Sequence, residues 1–94
     1  MRVEWYPSAR ADLAELVQHI AIDDPAAAYR VHDEMRKQVS LLAMHPRVGR
    51  PGRVLGTREL VIAGTPYIVA CRIVGDILTM LRLLHGARLW PSKL

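Results

Sequence analysis

The chain has 94 residues, 51% of them hydrophobic, with one cysteine and a formal net charge of +4. That length supports a single domain over residues 1–94 with one modest core, and a lone cysteine excludes an internal disulfide framework. The longest uncharged stretch, from Leu60 to Cys71, is broken by Gly64 and Pro66, and the N-terminus carries Glu4 and Asp12 without an apolar leader, so neither a membrane partner nor export is expected and a reduced, cytoplasmic setting fits.

In chain order, Arg2 to Trp5 reads as a short strand. Pro7 and Ser8 then open a helix, Pro7 suiting its first turn and Ser8 a cap. Ala9, Leu13, Leu16, Val17 and Ile20 recur at helical spacing, and this helix ends near Asp23. Asp24 caps a second helix with Pro25 at its first position and an apolar face of Ala28, Val31, Met35, Val39 and Leu42, which His45-Pro46 stops. So short a link between the two predicts an antiparallel helical hairpin.

Residues 46–56, PRVGRPGRVLG, hold three arginines, three glycines and two prolines and read as a loop with a basic rim. Three strands follow, Arg58 to Ile62, Tyr67 to Val74 and Ile77 to His85. They are joined by a turn over Ala63 to Pro66 and by a tight hairpin at Gly75-Asp76, where glycine tolerates positive φ. The order β-α-α-β-β-β predicts an α+β fold, a helical hairpin packed on a small antiparallel sheet.

Charge is unevenly spread. Residues 1–34 hold three basic and seven acidic side chains, residues 35–94 ten basic and two acidic, and eleven of the thirteen cations are arginine. Arginine forks onto carboxylates and phosphates and stacks on flat rings, which points to an acidic protein or a nucleic acid as partner.

The hairpins predict a register. With Gly75-Asp76 as the turn, Val74 faces Ile77, Arg72 faces Thr79 and Val69 faces Arg82; alternation then puts Arg58, Tyr67, Val69, Ile73, Leu78, Met80 and Arg82 on one face. Glu59, Arg72 and His85 fall on the other, so Arg72 is expected to pair with Glu59. Arg58 and Arg82, on a face without acids, are left to contact an outside ligand. His85 beside arginines suits acid–base work in RNA cleavage, but this register holds it away from Arg82 and Tyr67. His19 and His32 have no second ligand at metal spacing, no glycine-rich phosphate loop is present, and Cys71 has no local base, so no metal, cofactor or nucleophilic triad is expected. A sheet apolar on both faces needs more cover than one helix pair supplies, which predicts a partner segment laid along it.

The helical start (Pro7, Ala11, Asp12-Leu13), the HPRVGRP loop, RELVI, PYIVACRI and above all LRLLHGARLWP together resemble the RelE/ParE superfamily of bacterial toxins, across nearly the whole chain. The resemblance implies a growth-arresting toxin of a type II toxin–antitoxin module, neutralised in a hetero-oligomer by a cognate antitoxin. It implies one of two targets: DNA gyrase for ParE-like members, which are not nucleases, or ribosome-bound mRNA for RelE-like endonucleases. Tyr67, where ribosome-dependent members often carry arginine, and the long helical hairpin are closer to the ParE branch, so gyrase inhibition without catalysis is the first expectation. The residues then assigned to the target are Arg58, Tyr67, Arg82, Arg88 and Trp90. Those assigned to the antitoxin are Leu13, Leu16, Val17, Ile20, Val69, Ile73, Leu78 and Met80. On the mRNA-cleaving alternative, Arg82, His85 and Arg88 fill the catalytic positions.

Overall fold

The computed structural model describes residues 1–94, the side chain of Pro46 excepted. Strand β1 (Arg2–Trp5) leads into helix α1 (Pro7–Asp23), and helix α2 (Pro25–Met44) follows after a single residue. A 3-10 turn (Pro46–Val48) and a two-residue strand β2 (Arg50–Pro51) precede β3 (Arg58–Val61), β4 (Tyr67–Val74) and β5 (Ile77–His85). The five strands form one sheet in the order β1-β5-β4-β3-β2. Strand β1 runs parallel to β5 and the other neighbours are antiparallel, so the sheet is mixed and has one strand more than expected.

The local signals act largely as read. Asp24 Oδ1 accepts from the Ala27 amide at 3.0 Å, capping α2 with Pro25 behind it. Ser8 does not cap α1; Tyr6 holds that position without a side-chain bond, and the Ser8 hydroxyl donates instead to the Leu81 carbonyl at 3.3 Å. Gly75 has φ +60°, as the hairpin turn requires. Met35, Val39 and Leu42 on α2 and Ala9 and Leu16 on α1 form one buried cluster with Val69, Cys71, Leu78, Met80 and Leu83 of the sheet and with Ile62 just after β3; Ala28 on α2 is buried as well. Val3 and Trp5 of β1 pack beside them.

The sheet register departs from simple alternation at one residue. Val74 faces Ile77, and the pairing runs as expected to Cys71 opposite Met80; then Ala70 faces Arg82, leaving Leu81 without a partner on β4. This is a β-bulge, and from Arg82 onward it exchanges the two faces of β5. Leu83 and His85 therefore lie on the face of Val69 and Tyr67, and Arg82 and Leu84 on the other, which corrects the pairing of Val69 with Arg82.

The bulge coincides with the end of β1. Beyond Trp5, opposite Met80, the outer edge of β5 has no strand beside it, and α1 takes over. The Tyr6 amide donates to the Met80 carbonyl at 3.0 Å. Asp12 then accepts from the Leu83 amide at 3.0 Å through Oδ2, and from Arg82 through Nε to Oδ2 at 2.7 Å and Nη2 to Oδ1 at 3.1 Å. One carboxylate thus closes the exposed edge and holds the arginine of the bulge. Arg82 is therefore not free for an outside ligand, which corrects the expectation that its surroundings lack acids.

The expected Arg72–Glu59 pair does not form either. Glu59, its side chain 2% exposed, takes Arg50 Nη2 at 3.1 Å on Oε1, and the Arg53 amide at 2.7 Å and Arg53 Nε at 3.2 Å on Oε2. The loop before β3 folds over the carboxylate, and β2 pairs Arg50 with Glu59 across the sheet edge, so the loop arginines reach Glu59 first. A Cβ at Gly52 would collide with the Thr57 hydroxyl, so glycine permits this close fold of the loop. Burial by itself raises the Glu59 pKa, but the hydrogen bonds from Arg53 and Arg50 outweigh it and hold the carboxyl below its ordinary value.

Two stability predictions result. Asp12→Ala removes the cap and both Arg82 bonds and should lower unfolding stability by about 3 kcal/mol in chemical denaturation, with Asp12→Asn costing less because its amide oxygen still accepts from Leu83. Glu59→Gln should cost about 2 kcal/mol near neutral pH. Because the folded-state pKa of Glu59 is lowered, its contribution is complete above the ordinary value of 4.5 and is lost as pH falls through the folded-state value. The gap between wild type and Glu59→Gln should therefore narrow below that pH; denaturation midpoints across an acid series check this.

Candidate functional site

A cleft of about 640 Å³ opens where α1 crosses the end of β5. Asp12, Glu15, Leu16 and His19 form one wall, three or four residues apart and hence on one face of α1. Tyr67, Arg82, Leu83 and His85 form the floor. Arg88, Leu89, Trp90 and Pro91 of the C-terminal segment form the far wall.

Of the residues assigned to the target from sequence, Tyr67, Arg82, Arg88 and Trp90 come together here, and His85 joins them because of the bulge. Its ring meets Tyr67 edge-on, centroids 5.5 Å apart at 78°, which corrects the expectation that His85 lies away from Tyr67. Arg58 is elsewhere: it sits opposite Cys71, and its Nη1 donates to the Gly49 carbonyl at 2.6 Å, tying down the loop before β3. The α1 residues Asp12, Glu15 and His19 were missed by sequence reading. Their spacing puts them on one helical face, but nothing local says that this face meets the end of a strand some seventy residues later.

The assigned antitoxin contacts fall differently. Leu16 is 6% exposed and Val69, Leu78 and Met80 are fully buried, so these four pack the core rather than offer a surface. The face carrying them is the one the helices cover. Leu13, Val17, Ile20 and Ile73 are half-buried.

The chemistry of the cleft is specific. Arg82 is held by both oxygens of Asp12, which keeps its guanidinium charged and raises its pKa further. His85 Nδ1 accepts from the Ala87 amide at 3.1 Å, which assigns the ring hydrogen to Nε2 and makes the imidazole a donor toward the cleft. Trp90 Nε1 donates to the His85 carbonyl at 3.1 Å, and the Arg53 guanidinium carbon lies 3.7 Å from the centre of the Trp90 ring. Arg88 is exposed at the rim. Cys71 is buried in the core, where desolvation pushes its thiol up to about 11 against a smaller opposing effect of Arg58, so it is no nucleophile near neutral pH. Among the described residues, no group of three or more His, Cys, Asp or Glu side chains is placed to hold a metal, and no helix is long and apolar enough to cross a membrane.

Residues 3–90 match the family described as the ParE toxin of the type II toxin–antitoxin system parDE. The chain is 42% identical over 93 residues to Y4kP of Sinorhizobium fredii, a protein named as a candidate toxin, an alignment spanning 99% of this chain and 96% of that one. It is 31% identical over 88 residues to the toxin RelE2 of Caulobacter vibrioides, spanning 94% and 98%. Among solved structures, a chain of the chromosomal ParDE toxin–antitoxin system from P. aeruginosa matches with a TM-score of 0.83 at 27% identity, over 90% of this chain and 95% of that one. With its helical hairpin, its sheet and the matched residues running nearly end to end, the chain belongs to the ParE toxin family of type II toxin–antitoxin systems, within the RelE/ParE superfamily.

Proposed function

We propose that this toxin arrests growth in the cytoplasm by binding and inhibiting DNA gyrase, and that a cognate antitoxin silences it in a hetero-oligomeric complex. The observation that carries the target is the commitment of the polar groups on the cleft floor. Arg82 is neutralised by Asp12, and the Nδ1 of His85 is taken by a backbone amide, so neither floor group is a free cation or a free base; the ionisable groups left to the cleft are Glu15 and His19 on the helix wall and Arg88 on the far wall. Cutting RNA needs a proton acceptor within reach of the attacking hydroxyl and a cation for the developing phosphorane charge. A cleft with paired charges, aromatic rings and an exposed Arg88 and Leu89 at its rim suits protein recognition better. Membership of the ParE toxin family supports the same choice.

The second reading, ribosome-dependent mRNA cleavage, draws on one observation: the bulge gathers Tyr67, His85 and Arg88 at one cleft, a set that a nuclease would use once Arg82 left Asp12.

For the antitoxin, the outer face of α2 offers Tyr29, Leu41 and Met44, respectively 77%, 52% and 74% exposed, beside Arg36 and Lys37. An amphipathic segment with acidic flanks matches that surface in shape and charge.

Purified protein should abolish supercoiling by gyrase while mRNA in a translation extract stays intact. His85→Ala removes a floor side chain and the acceptor for the Ala87 amide but no acid or base, so it should weaken growth arrest by no more than about tenfold, whereas loss of a catalytic acid or base would cost on the order of a hundredfold or more. Codon-phased mRNA cuts that vanish in His85→Ala, with supercoiling untouched, would replace this reading with the second.

A further inference from the structure

The far wall of the cleft is the segment after Gly86, and it has no regular secondary structure. Its hydrogen bonds run mostly to His85, the strand end just before it. The Arg88 amide and Trp90 Nε1 both donate to the His85 carbonyl, at 3.1 Å each, and the Ala87 amide donates to the His85 ring. The Gly86 amide reaches the Pro66 carbonyl at 2.8 Å and anchors the start of the segment. Beyond that anchor, the polar or aromatic contact that ties this wall to another part of the described chain is the Arg53 guanidinium on the Trp90 ring.

Arg53 is itself immobilised. Its backbone amide and its Nε both bond Glu59 Oε2, and Glu59 is buried in the sheet. A rigid path thus runs from the sheet through Glu59 and Arg53 to the face of Trp90. Trp90 is half-buried, whereas the adjacent Leu89 is fully exposed and Arg88 is exposed. Holding Trp90 inward fixes the direction in which Arg88 and Leu89 project from the rim.

We propose that Arg53, which is absent from the cleft lining, is a positioning residue for it: stacked on Trp90, it orients the C-terminal wall so that Arg88 and Leu89 meet the target. The proposal rests on the reading of this cleft as the target-binding site, but not on which target it is. Arg53 acts through Trp90 and need not touch the target.

The test uses full-length protein in a Trp5→Phe background, where Trp90 is the remaining tryptophan. Arg53→Ala should shift Trp90 emission to the red, raise its quenching by acrylamide and weaken growth arrest on the order of tenfold, the range expected for losing a partly desolvated cation–π contact. Arg53→Lys keeps a cation over the ring and should restore both signals in part. Arg50→Ala removes the other guanidinium from Glu59 without touching Trp90 and serves as the control for general loosening; it should leave emission and arrest near the parent values.

Unchanged Trp90 emission and quenching in Arg53→Ala would overturn the proposal, as would a shifted emission with undiminished arrest, or an equal loss of arrest in Arg50→Ala. Because arrest is scored in cells, a wild-type protein that fails to inhibit purified gyrase would sink the gyrase reading alone and leave this result interpretable.

Discussion

Asp12 receives three hydrogen bonds at the point where β1 stops and β5 continues alone, two from Arg82 and one from the Leu83 amide. Much of the functional end of the molecule follows from that contact. A strand running past its neighbour leaves outward-facing N–H and C=O groups that must find partners, since an unpaired buried backbone group costs as much as a lost hydrogen bond. Here the start of α1 supplies them in sequence: the Tyr6 amide and the Ser8 hydroxyl donate to the Met80 and Leu81 carbonyls, and Asp12 then accepts from the Leu83 amide. The helix is thereby laid along the edge of β5 rather than squarely over the sheet, and the space left between helix, strand and C-terminal segment is the cleft.

The bulge at Leu81 belongs to the same arrangement. Inserting one residue into β5 brings Arg82 to Asp12 and, by the exchange of faces that follows, sets His85 against Tyr67. Shielding the arginine and gathering the aromatic floor are thus two consequences of one extra residue. At the other end of the sheet, a single buried carboxylate has a comparable role: Glu59 gathers Arg50 and Arg53, closes the glycine-rich loop and leaves Arg53 facing Trp90. The basic loop and the aromatic tail, far apart in sequence, become neighbours because Arg53, held by Glu59 of β3, reaches the Trp90 ring, which is itself tied to the end of β5.

The elements that read clearly from sequence are those with local causes. Asp24-Pro25, His45-Pro46 and Gly75-Asp76 mark ends and turns through backbone chemistry within a few residues, and β4 ends and β5 begins where Gly75-Asp76 puts them. The bulge carries no such mark. ILTMLRLLH is apolar on both faces, with neither a glycine nor a break in pattern at Leu81, so strict alternation was the natural reading and it misplaced Arg82 and His85. The two ion pairs were misread for a related reason. Sheet geometry suggested a diagonal partner for Glu59, whereas a loop free to fold back brought Arg50 and Arg53 to it. Asp12, on an otherwise ordinary helical turn, gave no hint that it would meet Arg82.

On alternation alone, His85 is remote from the other polar groups, and that distance argues against catalysis. In the folded chain it sits among them, so distance is no argument. What replaces it is the state of each group. Desolvating a paired charge and then breaking the pair is costly, so a mechanism that needed Arg82 would first have to lift it from a bidentate partner and leave Asp12 beside the incoming phosphate. A second carboxylate, Glu15, lines the same wall and adds to the repulsion of a polyanion. A protein target faces no such barrier, because it can supply a cation for Glu15 and an acid for Arg88 while leaving the Asp12–Arg82 pair intact.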